Sequence, residues 1–378
     1  MADVAAELAL LPMFQRVSSR DINASADLWK PVSLANGETL WGQGEAVDQL
    51  AVVLLGELAA VVDGHEVGRV LPGELLGEAS AFFAGTTRSA TLVARRDTQV
   101  VALSTQSLRT LRWQRSALYD ALLDQGLRAM VRRVRATDQK IAFLALGGEK
   151  APARTEPSAL GRLWRVLRPG GPKTEAPDLL PLLHRLAGLK DAEPEALLAI
   201  AAAFVAEPVE EGQVLFLENE PGACAWVVAE GAVDVLRHVR GERAELLATL
   251  GPGDLFGANT LIEKGPRTAS CVAVQPGWVY RIDAEGLARL KGDARMRWRE
   301  TVLGTLAAQI RLANRSLNLA ATHANTPGEK ARTAESGFNQ LLAASGYLEA
   351  LPVSEAQLNA VTFSVTDDAE RNRKGPRR

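Results

Sequence analysis

The chain has 378 residues, of which 47% are apolar and 23% are charged, and its formal net charge is −2. This balance is that of an ordinary globular protein and excludes wholesale disorder. The near-neutral net charge does not predict a nucleic-acid-binding surface. Only two cysteines occur, Cys224 and Cys271, so neither a disulfide framework nor a zinc site is predicted. No basic leader and no long apolar run is present, so we predict a cytoplasmic chain without membrane contact.

Residues 30–103 are typical of short β-strands separated by glycines. Runs of five to eight aliphatic and β-branched residues with turn signals between them indicate a barrel or sandwich. Asp63-Gly64 predicts a hairpin turn, because both residues tolerate positive φ. Ser104 is a good N-cap, and the pattern after it is helical to about Leu146.

The same pattern begins again near Leu179, after a segment at 147–177 that is rich in glycine, proline and charge. Two matched glycine pairs set the offset between the copies, 175 residues from Gly56 to Gly231 and 180 from Gly73 to Gly253. The second copy therefore carries about five extra residues, in the polar stretch RHVRGERAE. The chain is predicted to contain a duplicated domain with a linker between the copies.

Each copy ends in a predicted long helix with apolar residues at 3-4 spacing. The two stripes are Leu127, Met130, Val134, Thr137, Ile141 and Leu144, and Leu303, Leu306, Ile310, Ala313, Leu317 and Ala320. A narrow stripe of this kind favours helix pairing, which would make the chain a homodimer or join it to a partner protein. The alternative, that each helix packs on its own barrel, stays open.

The most informative stretch is the segment that we call the first cassette, residues 77–89. A glycine, a carboxylate and two small residues enter a short helical turn there, in the order Gly77, Glu78, Ala79 and Ser80. Backbone N–H groups at such a turn suit an anion, and Arg88, ten residues after Glu78, is a planar fork of donors for phosphate. A carboxylate at this place has to face hydroxyl donors, and a cyclic nucleotide combines both demands.

The GE…RSAT pattern, within a barrel that has glycines at Gly44, Gly56 and Gly73, resembles the cyclic-nucleotide-binding domain superfamily. The resemblance covers residues 10–146 and again 180–320. The helix MVRRVRATDQKIAFLAL is also similar to the dimerisation helix of the catabolite activator family. The resemblance implies an α+β, mainly β fold, with two tandem β-barrels of the double-stranded β-helix (jelly-roll) type, each followed by a long helix.

Carried over to this sequence, the resemblance implies that Glu78 binds the ribose 2′-hydroxyl and Arg88 the cyclic phosphate. It implies an adenine contact from Thr137, with Asp138 in the place of the family's serine. Cyclic AMP is thus the predicted ligand, cyclic GMP stays open, and no cofactor is predicted. The remaining implied contacts are those of Gly77, Ala79, Ser80 and Ser89.

The second cassette, residues 257–268, retains only part of this pattern. Arg267 and Thr268 stand where the phosphate donors belong, but Ala258 replaces the carboxylate and Ala313 replaces the helix threonine. Losing a charge-assisted hydrogen bond costs about 1.5–3 kcal/mol, or tenfold and more in affinity. We therefore predict a degenerate site, or a site for a different anion. Its candidate ligand-binding residues, which are weaker candidates than those of the first cassette, are Gly257, Asn259, Arg267 and Thr268.

The predicted domains are 1–146, the linker 147–177, a second barrel at 178–322 and an extension at 323–378. The predicted function is a cyclic-nucleotide sensor that is not an enzyme, since four scattered histidines and the lack of known motifs give no catalytic set. Direct DNA binding is disfavoured, because no basic recognition helix follows either long helix. A scaffolding protein built on ligand-free barrels and a diverged transcription regulator stay as alternatives.

Overall fold

The computed structural model of the chain describes residues 4–78, 80–83, 86–145, 175–240 and 243–324. The chain divides into two compact units, Met1–Ala321, which contains both barrels, and Thr322–Arg378. Most of the predicted linker, residues 147–174, and most of the predicted extension, residues 325–378, lie outside the described residues.

The first copy is an all-antiparallel barrel of two four-stranded sheets, in the orders β1-β8-β3-β6 and β2-β7-β4-β5. Its strands are β1 Trp29–Leu34, β2 Thr39–Trp41, β3 Gln49–Leu55, β4 Leu58–Val62, β5 His65–Val70, β6 Leu75–Leu76, β7 Thr91–Ala94 and β8 Thr98–Ser104. The predicted turn at Asp63-Gly64 joins β4 to β5, with φ of 49° and 82° at the two residues. This is the positive-φ geometry that a two-residue hairpin requires.

Helices flank this barrel on both sides in the sequence. They are α1 Val4–Leu10, α2 Ser19–Ser25, α3 Thr105–Trp113 and α4 Ala117–Ala145. Ser104 caps α3 as predicted, since its hydroxyl accepts the Ser107 N–H at 3.0 Å. The helical segment that was predicted after Ser104 consists of two helices, because the chain breaks at 114–116, where Arg115 has a φ of 51°.

The second copy repeats the architecture in one six-stranded antiparallel sheet. Its elements are α5 Leu180–Leu183, α6 Pro194–Ala201, β9 Val205–Val209, β10 Val214–Phe216, β11 Cys224–Arg240, β12 Arg243–Leu250, β13 Leu255–Phe256, α7 Asn259–Ile262, β14 Ser270–Asp283, α8 Ala284–Arg289 and α9 Gly292–Ala324. The extra residues of this copy extend the β11–β12 hairpin, as the repeat offset predicts. The duplicated α+β fold is confirmed. Within the described residues, no helix has both the length and the apolarity needed to cross a membrane.

Three apolar cores hold the unit together. Each barrel has its own interior core. The third core joins the outer face of each barrel to the helices of both copies. The predicted stripes lie in this shared core where side chains are described, from Leu127 to Val134 and from Leu303 to Ile310. Over these turns the two stripes are buried within one chain.

Polar contacts join α9 to α3 and α4. Glu300 of α9, only 7% exposed, accepts from both ends of the Arg112 guanidinium at 2.7 and 3.0 Å, and from the Tyr119 hydroxyl. Arg299 beside it donates to the carboxylate of Asp120 at 2.8 Å. The two long helices, α4 and α9, therefore pair with each other within one chain.

Candidate functional site

The first cassette begins in a tight turn directly after β6. Gly77 has a φ of 78°, and a Cβ there would lie 2.8 Å from a terminal nitrogen of Arg88, so both conformation and space require glycine. Its carbonyl accepts the N–H groups of Ser80 and Ala81 at 3.1 and 2.8 Å, which closes the turn. The Ser80 N–H, a predicted phosphate donor, is thus engaged within the turn here, and Ala79 lies outside the described residues.

Glu78 projects from this turn into the interface with α4 and is fully buried. It forms an ion pair with Arg133 of that helix, the one basic partner of the carboxylate among the described residues. A Cβ on Gly126 of α4 would lie only 3.4 Å from the Glu78 Cβ, so the helix passes close to the cassette there. Burial raises the pKa of Glu78, while the Arg133 charge opposes that rise.

Substituting Glu78 with glutamine is expected to stabilise the ligand-free protein at neutral pH. Because the pKa of Glu78 is raised in the folded state, that state favours the protonated carboxyl. The stability that this preference contributes is present below the unfolded-state pKa of about 4.3 and is lost as the pH rises through the folded-state pKa. We expect the Glu78→Gln melting temperature to exceed that of the wild type at pH 7. The gap should close near pH 4 in scanning calorimetry, and a variant less stable than wild type at pH 7 would contradict the argument.

Arg88 lies behind Gly77 and is 3% exposed. Its guanidinium donates to the Gln49 carbonyl at 2.8 Å and to the Asp48 carboxylate at 3.1 Å, and its central carbon lies 3.7 Å from the centre of the Trp41 ring. Burial lowers the pKa of the group, but arginine keeps its charge in proteins. Its Nε is buried without an acceptor among the described residues, which leaves one donor for an anion.

The other predicted ligand contacts lie around this pair. Thr137 is buried on α4, one turn beyond Arg133, while Ser89 is half-buried beside Arg88. The Ser80 hydroxyl donates to the Thr87 carbonyl at 3.1 Å and so braces the two ends of the cassette. The side chain of Asp138 lies outside the described residues.

Arg133 is the residue that sequence reasoning missed. A signal was available, because Arg133 precedes Thr137 by four residues and therefore lies on the same helix face. Together the turn and the helix place a buried carboxylate, a buried guanidinium and a threonine at one end of the first barrel. This set can bind a ligand that carries both an anion and hydroxyl donors.

The second cassette has the same turn with different chemistry. Gly257 has a φ of 74°, and buried Ala258 leaves no carboxylate. Arg267 is 4% exposed, and its guanidinium donates to the Gly257 carbonyl at 2.7 Å and to the Cys224 carbonyl at 2.9 Å. A Cβ on Gly222 would lie 2.3 Å from its Nε, so the group packs flat against that glycine. The other two candidates, Asn259 and Thr268, are half-buried.

Three stacked aromatic rings occupy the interior of the second barrel. Trp226 lies 5.1 Å from Phe216 and 5.6 Å from Phe256 between ring centroids. The cross-strand pair Trp226–Phe256 corresponds in register to Ala51–Leu76 of the first barrel. The buried guanidinium of the second cassette lies 4.2 and 5.0 Å from the Phe216 and Trp226 rings. Two of the three rings thus replace the smaller Ala51 and Leu76 of the first copy, while Phe216 takes the place of Trp41.

Curated relatives match parts of the chain. It is 29% identical over 136 residues to the CRP-like cAMP-activated global transcriptional regulator of Mycobacterium tuberculosis, covering 36% of this chain and 60% of that protein. It is 34% identical over 113 residues to the cyclic AMP receptor protein of Thermus thermophilus, covering 30% of this chain and 46% of that protein. The chain spans 60% or less of the length of these relatives.

Among solved structures, the regulatory domain of Toxoplasma gondii PKA with cAMP aligns with a TM-score of 0.28 and 18% identity, covering 78% of this chain and 93% of that one. The family model of the cyclic nucleotide-binding domain matches residues 31–114 and 206–292. These two segments fall in the two barrels described above. The chain therefore carries two cyclic nucleotide-binding domains in tandem.

Proposed function

We propose that the chain is a regulatory sensor that binds one cyclic nucleotide, cyclic AMP, in its first barrel and none in its second. In this proposal Glu78 accepts the ribose hydroxyl, Arg88 binds the cyclic phosphate and Thr137 contacts the base. Relatives whose names refer to cyclic AMP support the choice of ligand. Homodimerisation and a cytoplasmic location stay predictions.

The observation that carries the proposal is the state of Glu78. A fully buried carboxylate with a single basic partner among the described residues, Arg133, costs free energy that a barrel kept only for packing has no reason to spend. Perturbed, under-satisfied ionisable groups of this kind concentrate at binding sites. The unfilled Nε of Arg88, on the other side of Gly77, provides the matching anion donor.

The aromatic filling supports a second barrel without a nucleotide. Its Arg267 has contacts of the same kind as Arg88, namely two hydrogen bonds, a ring contact and an Nε without an acceptor among the described residues. The two barrels differ in the rings Trp226 and Phe256 and in the carboxylate, which is absent at Ala258. We therefore treat Arg267 as a structural residue of the second barrel.

Isothermal titration of the full chain with cyclic AMP, and separately with cyclic GMP, tests the proposal. We expect one site per chain, with cyclic AMP bound at least tenfold more tightly, a free-energy difference of about 1.4 kcal/mol. Two equivalent sites would refute the degenerate second barrel, and tighter cyclic GMP binding would refute the ligand assignment. The absence of any binding would favour a scaffold built on ligand-free barrels.

A further inference from the structure

Three arginines on two adjacent turns of α4 contact both cassettes. Arg133 pairs with Glu78 of the first cassette. Its neighbour Arg132 places Nε 3.5 Å from the carboxylate of Glu263, which directly follows α7 within the second cassette. Arg135 donates to the Glu263 backbone carbonyl at 2.8 Å. One segment of α4 therefore contacts both Glu78 of the first cassette and Glu263 of the second cassette.

The contact of α4 with the second cassette is closely packed. A Cβ on Gly265 would lie 2.7 Å from a terminal nitrogen of Arg135, so the guanidinium occupies the space that this glycine leaves free. The Nε of Arg135 and one carboxylate oxygen of Glu263 are buried there. If α4 shifted along its axis, the close packing would prevent Arg135 from sliding past Glu263, and the contact between them would break.

The reverse contact also exists. A Cβ on Gly304 of α9 would lie 3.2 Å from the ring of Phe83 in the first cassette, and the Phe82 ring next to it lies 3.6 Å from the Cβ position of Gly126 on α4. Each long helix thus meets the cassette of the other copy, while the two helices pair with each other.

We propose that Arg132 and Arg135 transmit nucleotide occupancy of the first barrel to the second cassette, which acts as a built-in, ligand-free partner. This inference rests on the proposed function. A ribose hydroxyl that donates to Glu78 competes with Arg133 for the same carboxylate, and a helix of this length shifts as a unit. Arg132 and Arg135 transmit that shift to Glu263. Because the interior of the second barrel is tightly packed, the barrel then moves as a rigid body.

Hydrogen exchange of the full chain, read by mass spectrometry on peptides that cover residues 258–263, tests the coupling. In the wild type we expect saturating cyclic AMP to change exchange there at least twofold, although the nucleotide binds in the other barrel. The Arg132→Ala/Arg135→Ala double variant should lose most of that change and still bind cyclic AMP by calorimetry. Arg128→Ala, which removes an exposed arginine from the same helix, is the matched control and should behave as wild type.

The possible results separate the two proposals. Nucleotide binding with unchanged exchange at residues 258–263 in the wild type would overturn the coupling alone, as would a full response in the double variant. A response lost equally in Arg128→Ala would show that α4 charge in general is responsible, which also contradicts the assignment to Arg132 and Arg135. Absence of binding in the wild type would overturn the proposed function and the coupling with it.

Discussion

Replacing Arg88 with alanine is expected to weaken cyclic AMP binding by about 100-fold or more. The Nε of Arg88 offers the phosphate one charge-assisted hydrogen bond, which contributes about 1.5–3 kcal/mol or roughly 10- to 150-fold in affinity, and the substitution also removes the positive charge beside the anion. Arg88→Lys keeps the charge but loses the fork and the flat contact with Trp41, so an intermediate loss is expected. Calorimetric titration of both variants, with melting curves to verify folding, measures the series.

The sequence offers its own control, since Arg267 is the counterpart of Arg88 in the second copy. Arg267→Ala should leave the nucleotide affinity within about threefold of wild type, but it should destabilise the second barrel by roughly 2–3 kcal/mol, because two buried carbonyls lose their donor. Equal losses of affinity in the two variants would show that both cassettes bind the ligand. An Arg88→Ala variant with wild-type affinity would place the phosphate elsewhere.

The fold was largely predictable because its signals are local. Asp63-Gly64 adopts the positive φ values that the hairpin prediction requires, and Ser104 caps the helix that it was expected to cap. The repeat offset also predicted where the second copy is longer, in the β11–β12 hairpin. The break near Arg115 has a weaker local signal, since no glycine or proline marks it and a non-glycine residue takes the positive φ there.

The site was only partly predictable, because its decisive features depend on distant contacts. The aromatic filling needs the register of β11 against β13, which shows that Trp226 stands opposite Phe256 inside the barrel. An apolar pattern alone does not distinguish the inner face of such a strand from its outer face. The contacts of Arg135 with Glu263 likewise join residues 128 positions apart, which no helix period or turn signal reports.

Glu300 provides the second large effect, on the stability of the joined helices. Glu300→Ala is expected to lower the free energy of unfolding by about 3–5 kcal/mol, the usual cost of breaking a buried ion pair from one side. Arg112 would lose two hydrogen bonds and the buried Tyr119 hydroxyl its acceptor. Urea unfolding followed by tryptophan fluorescence measures the loss. Asp293→Ala, which breaks an i,i+4 pair with Arg297 on the same helix, should cost less than about 1 kcal/mol.

A double-mutant cycle decides whether the Glu300 effect belongs to the contact between copies. If it does, Tyr119→Phe and Glu300→Ala together should cost less than the sum of the two single changes, because both remove the same hydrogen bond across 181 residues of sequence. Strict additivity would mean that the Tyr119 hydrogen bond contributes nothing to the Glu300 effect. Coupling would mean that the two barrels share their stability through α3, α4 and α9, the connection through which the first barrel can move the second.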